Sequence, residues 1–215
     1  MTTLLLAVHP LQAGPNWADE LAAVPGWTVR GPAHSLAQVR QQLAGGPPSL
    51  LVADLRLQDG DLLHLMRLLQ ASHPTLRVPV LVLTPPQADP LLLDVLQAGA
   101  DSFHTTTPHR PGALAEQVRA SLAGGAEIAP WIARRLLDHF QAKLRGPARE
   151  IVEDLVNPLS LTQDECALLR QLSAGARVSE LARREGVVPR ELTSRLRGIC
   201  RKMQWALRAG DLRLA

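Results

Sequence analysis

Five times between Thr3 and His104 the chain returns to a short apolar run, and each run is followed by a longer amphipathic stretch. Repeated strand–helix units imply a parallel sheet covered by helices on both faces. The strands expected are Thr3–Leu6, a weaker one at Trp27–Arg30, then Ser49–Ala53, Pro79–Leu83 and Ser102–His104. Helices are expected over residues 17–23, 35–44, 60–70, 90–98 and 112–122. Gly45-Gly46-Pro47-Pro48 stops the second of these helices, and Gly99 stops the fourth.

In such a sheet, functional groups gather at the carboxyl ends of the strands. The stretch LLVADLRLQDG delivers Asp54 to such an end. A carboxylate there is a phosphate acceptor, a metal ligand or a structural acid. A length of 215 residues with 46% hydrophobic side chains allows one large domain or two small ones, each with a proper core. Two cysteines, Cys166 and Cys200, make no disulfide framework and fit a reduced cytoplasm; buried among apolar residues they behave as small hydrophobes. The N-terminus lacks the basic start and long apolar core of a signal peptide, and no apolar run reaches the roughly 18 residues of a membrane span. A soluble, cytoplasmic protein is expected.

Beyond Gly124-Gly125 the pattern changes. Ile128, Ile132, Leu136, Phe140 and Leu144 recur every four residues, the stripe of one helix, and a looser stretch from Arg145 to Pro158 reads as a linker. The remainder holds helices and no strands. A short helix from Val178 to Arg184 contributes Leu181 and Ala182, Gly186 permits a tight turn, and Pro189 fits the first turn of a second helix. Leu192, Leu196, Ile199 and Met203 form that helix's buried stripe, while Arg190, Thr193, Ser194, Arg197 and Arg201 fall off it. This is a helix-turn-helix arrangement, whose second helix fits a major groove and whose arginines meet phosphates or guanine edges. Charge agrees: residues 158–215 hold eleven Lys/Arg against six Asp/Glu, and residues 1–157 twelve against fourteen. A basic face on an ordinary helical bundle is the plainer alternative; turn, periodicity and charge together favour double-stranded DNA.

Both halves resemble the LuxR/FixJ-type (NarL-like) response regulators. The stretch LTQDECALLRQLSAGARVSELARREGV is similar to the family's LTxREx(V/L)L…aeGxsnxEIAxxLgi, with Leu161, Thr162, Glu165, Leu168, Leu169, Gly175, Glu180, Leu181 and Ala182 in register. The resemblance implies a flavodoxin-like receiver over residues 1–123, a helix-containing linker over 124–157 and a LuxR-type DNA-binding domain over 158–215. It assigns DNA contacts to Arg190, Thr193, Ser194, Arg195, Arg197, Arg201 and Lys202. The ending RKMQWALRAGDL resembles RKLxvxxRxEL, where a last helix often makes the dimer contact, so a homodimer is expected. Within the recognition segment gxSxxTVKxH, Val188 stands for the serine, Glu191 for the threonine, Thr193 for the lysine and Arg195 for the histidine.

The receiver half departs more. The family's DDHP, whose two acids support a magnesium ion beside the acceptor aspartate, is here Ala7, Val8, His9, Pro10. GADSFHTTTP resembles GAxGYLxKxxxP and puts Thr106 where a lysine pairs with the phosphoryl group. Asp54 as acceptor, Thr84 and the aromatic switch Phe103 remain. Phosphoryl transfer to an aspartate needs a divalent cation to neutralise the phosphoryl oxygens, and each lost partner removes electrostatic stabilisation. A pseudo-receiver that does not use phosphate is expected, with Asp54 structural and within hydrogen-bonding reach of Thr84. No cofactor, metal site or catalytic residue is assigned, and an enzyme is not indicated. His9, His104 and His109 lie near the sheet's carboxyl edge without zinc-like spacing. The input is then a partner protein, a small ligand at the former phosphorylation edge, protein level or constitutive dimerisation. The alternative is an interaction protein whose altered helix no longer reads DNA.

Overall fold

The computed structural model describes residues 1–11, 16–72, 78–85, 90–106, 110–126, 128–144 and 161–211. The linker stretch 145–158 and His109 fall outside them. Five strands, β1 (Thr2–Ala7), β2 (Trp27–Ala33), β3 (Leu50–Asp54), β6 (Val80–Thr84) and β7 (Ser102–Thr105), form one parallel sheet in the order β2-β1-β3-β6-β7. β3 and β6 are buried along their whole length, because helices cover both faces. Leu5, Leu51, Ala53 and Val82 point to one layer, and Leu4, Leu6, Val52 and Leu81 to the other. The expected doubly covered parallel sheet is what the chain forms.

The helices α1 (Trp17–Ala22), α2 (Leu36–Leu43), α3 (Leu62–Ser72), α4 (Leu91–Ala98) and α5 (Ala113–Leu122) alternate with the strands. Two elements differ from expectation. β2 runs on to Ala33, and Gly31 lets it pass β1: a Cβ there would stand 2.4 Å from the Leu6 carbonyl oxygen. The helix expected from Gly60 begins two residues later. Arg56–Leu57 (β4) and Gly60–Asp61 (β5) pair first as a small antiparallel ribbon, turned over Gln58 and Asp59. Asp59 then accepts hydrogen bonds from the N–H groups of Leu36 and Ala37, at 2.6 and 3.3 Å, and so caps α2.

The C-terminal part is helical: α6 (Pro130–Leu144), α7 (Gln163–Ser173), α8 (Val178–Glu185) and α9 (Pro189–Asp211). Ile128, Ile132, Leu136 and Phe140 are buried, and α6 packs on α7. A reciprocal cap starts α7. The Thr162 hydroxyl accepts from the N–H of Glu165, whose carboxylate accepts from the N–H of Thr162. No helix among the described residues is long and apolar enough to cross a membrane. The ending RKMQWALRAGDL lies on α9 as far as Asp211. Gln204, Ala206 and Leu207 favour helix, so α9 continues unbroken for 23 residues.

Candidate functional site

Two places gather the residues singled out in the sequence: the carboxyl edge of the sheet and the outer face of α9. At the edge, Asp54 ends β3 with 1% exposure. Its Oδ2 accepts the backbone N–H of His9 at 2.7 Å, and its Oδ1 is buried with no hydrogen-bond partner among the described residues. Burial pushes the carboxyl up to about 7, and the His9 N–H holds it back from rising further. Thr84 does not turn to Asp54. Its hydroxyl donates to the Pro85 carbonyl at 3.1 Å, while its own carbonyl accepts the N–H of Thr106 at 3.0 Å and the Thr106 hydroxyl at 3.4 Å. Phe103 is buried in the core.

These surroundings do not fit a magnesium ion. Ala7 and Val8 are buried apolar residues where the family's acids would stand, and Asp54 already spends one oxygen on a backbone donor. Among the described residues no three of His, Cys, Asp and Glu come together as metal ligands. Among the described residues the buried Asp54 carboxylate has the His9 N–H as its hydrogen-bond partner and forms no ion pair.

On α8 and α9 the helix-turn-helix forms as the pattern requires. Gly186 takes a left-handed conformation (φ 69°), the N–H of Val187 bonds back to the Ala182 carbonyl, and Leu181 and Ala182 meet Leu192, Leu196, Ile199 and Met203. Ser194 and Arg201 are exposed on the outward face. The other predicted contact residues are engaged inside the molecule. Arg195 bridges Glu191 at 2.6 Å and Glu185 at 3.2 Å, and Lys202 pairs with Glu165 at 2.6 Å. Arg190 reaches the Ala123 carbonyl at 3.5 Å.

One side of α9 lies against the α/β part. Arg197, 15% exposed, donates to Asp101 at 3.1 Å, and Gln204 donates to the Ala100 carbonyl at 2.9 Å. Buried Thr193 gives its carbonyl to the N–H of Ala126 at 3.0 Å. Gly125 has to be glycine here: a Cβ would stand 2.5 Å from the Thr193 hydroxyl. Asp101 is itself held by the N–H of Val80 at 3.1 Å, so the carboxylate that receives Arg197 is fixed. Cys200 lies on the same side; burial pushes its thiol up to about 12, the Asp101 charge adding to the rise and Arg197 opposing it. This docking surface, Ala100, Asp101, Gly124-Gly125 and Gln204, went unnoticed in the sequence. Its one visible signal was the double glycine, read there only as a break.

No family model matches the chain. It is 34% identical over 172 residues to the DNA-binding transcriptional activator DevR/DosR of Mycobacterium tuberculosis, covering 77% of this chain and 71% of that one. The fold is similar to the RcsB response regulator of Salmonella typhimurium, with TM-score 0.52 and 18% identity over 94% of this chain and 93% of that one. A LuxR-family two-component response regulator from Aurantimonas sp. SI85-9A1 is similar at TM-score 0.53 and 21% identity, over 65% of this chain and 98% of that one.

Proposed function

The chain belongs to the LuxR/NarL-type response regulators, and from that premise we propose that it is a transcriptional regulator that binds double-stranded DNA through α9 without using aspartyl phosphate. The observation that carries this reading is the α8–turn–α9 unit with Ser194 and Arg201 facing outward. DevR/DosR is a DNA-binding activator, which supports the same role here. The division of labour is a pseudo-receiver over residues 1–123, a linker over 124–157 and a DNA-binding domain over 158–215. A cytoplasmic homodimer on a two-fold symmetric site suits a single reading helix per chain. In the docked arrangement Thr193 and Arg197 are withheld from DNA, so α9 must leave the α/β part before it can enter a groove. A partner protein or a small ligand at the former phosphorylation edge supplies the signal for that release.

A salt titration on genomic DNA fragments tests the binding. Arg201→Ala is expected to weaken binding to all fragments alike and to reduce the salt slope by about one. An unchanged slope removes Arg201 from the interface. Beryllofluoride with magnesium, a stand-in for the phosphoryl group, is expected to leave DNA affinity and dimerisation unchanged, because Ala7, Val8 and Thr106 stand where the family has its two acids and its lysine. A gain in either would reinstate phosphorylation as the signal. One observation favours a second reading, that of an interaction protein. Arg195 is enclosed by Glu185 and Glu191, which places two carboxylates on the helix-turn-helix surface. DNA binding that is absent at low salt would decide for it.

A further inference from the structure

Two adjacent valines make the turn of the helix-turn-helix, and they are treated differently. Val187 packs against the helical core, with its N–H bonded to the Ala182 carbonyl. Val188 faces solvent with 64% exposure, one of only four large apolar side chains so exposed among the described residues. It stands immediately before Pro189, the first residue of α9, and its carbonyl accepts the N–H of Glu191. Valine is a poor residue at a helix N-terminus, because it has no oxygen to take an orphan N–H. Val188 therefore neither caps the helix nor contributes to the core. In helix-turn-helix proteins the N-terminal residues of the second helix meet base edges. The one apolar group on those edges is the 5-methyl of thymine, and small aliphatic side chains contact it.

Resting on the DNA-binding reading above, we propose that Val188 is a specificity-determining residue that recognises a thymine by its 5-methyl group. The isopropyl group and the methyl exclude water from each other in the groove. A cytosine or a uracil at that position offers no methyl and loses the contact. The docked arrangement leaves Val188 uncovered while Thr193 and Arg197 are held.

The test uses the full chain and a bound genomic fragment, resynthesised with each thymine replaced singly by deoxyuridine. The unaltered protein is expected to lose about fourfold in affinity at one thymine per half-site, the value of one buried methyl group. Val188→Ser restores a capping hydroxyl, so it is expected to raise the melting temperature. It should also bind the thymine and uracil forms of that position equally. Fragments that bind without sensitivity to any uracil, or a fourfold penalty that survives in Val188→Ser, overturn this assignment alone. Absence of binding to every fragment overturns it together with the DNA-binding reading.

Discussion

Replacing Asp101 by Asn is expected to tighten DNA binding by about tenfold or more, while replacing its partner Arg197 by Ala is expected to give a smaller gain or a loss. The two residues form one bridge, 3.1 Å long and almost dry, between β7's entry and α9. A buried pair that loses one charge leaves the other desolvated and uncompensated, at a cost of about 3–5 kcal/mol when it cannot escape. Arg197 can escape, because undocking α9 returns it to water. The cost of Asp101→Asn is therefore relieved by opening. Apparent affinity rises as the open fraction rises, and each tenfold corresponds to about 1.4 kcal/mol. Asn keeps an oxygen for the Val80 N–H, so the sheet edge holds. Arg197→Ala opens the molecule too, but it removes a cation from the helix that meets the phosphates. A bridge that served only stability would make the two variants behave alike. Equal effects in a fragment-binding titration would contradict the competition between docking and DNA.

The second large effect concerns Asp54 and reads as pH dependence of stability. Its carboxyl rises from 3.8 to about 7 on folding because burial disfavours the charge. Between those values the folded state holds a proton that the unfolded state has lost. Stability therefore falls as pH rises through that window and levels off above pH 7, where the buried carboxylate is charged. The full penalty is up to about 4 kcal/mol, from roughly 1.4 kcal/mol per pKa unit. Asp54→Asn removes the charge and keeps an acceptor for the His9 N–H. Its new N–H groups occupy the place of the unpartnered Oδ1 and return part of the gain, about 1–3 kcal/mol. The expected net is a melting temperature several degrees higher at pH 8, at about 2–4 °C per kcal/mol for a chain of this size. The difference should shrink toward pH 4. A variant less stable at pH 8 would mean that Asp54 is charged and paired in the native state, as a working phosphoacceptor beside a cation would be.

The α/β sheet, the helix-turn-helix and the exposed position of Arg201 were legible in the sequence because each has a local cause. Apolar runs of four or five residues mark β3 and β6, and the 4-3-4 spacing from Leu192 to Met203 marks the buried stripe of α9. The docking of α9 has no such cause. Asp101 and Arg197 are 96 residues apart, and nothing near either distinguishes a bridge from two surface charges. Thr84 was expected to face Asp54 because both end neighbouring strands. Its hydroxyl instead donates to the carbonyl of the next residue, Pro85, a local bond that the strand pattern does not reveal. The ending from Arg201 joins α9 because Gln204, Ala206 and Leu207 are residues that a helix accommodates readily, and no proline interrupts them.

α9 is expected to occupy either DNA or the α/β part, never both at once. The rate of Cys200 alkylation at pH 8 measures it most directly, with half-buried Cys166 as the internal reference. Docking holds Cys200 buried and its thiol up to about 12, with the Asp101 charge contributing, so both access and thiolate fraction are low. Saturation with a bound DNA fragment is predicted to speed alkylation of Cys200 by about tenfold or more relative to Cys166, because the α/β part has left that side of the helix. A Cys200 that stays as protected on DNA as off it would contradict the account.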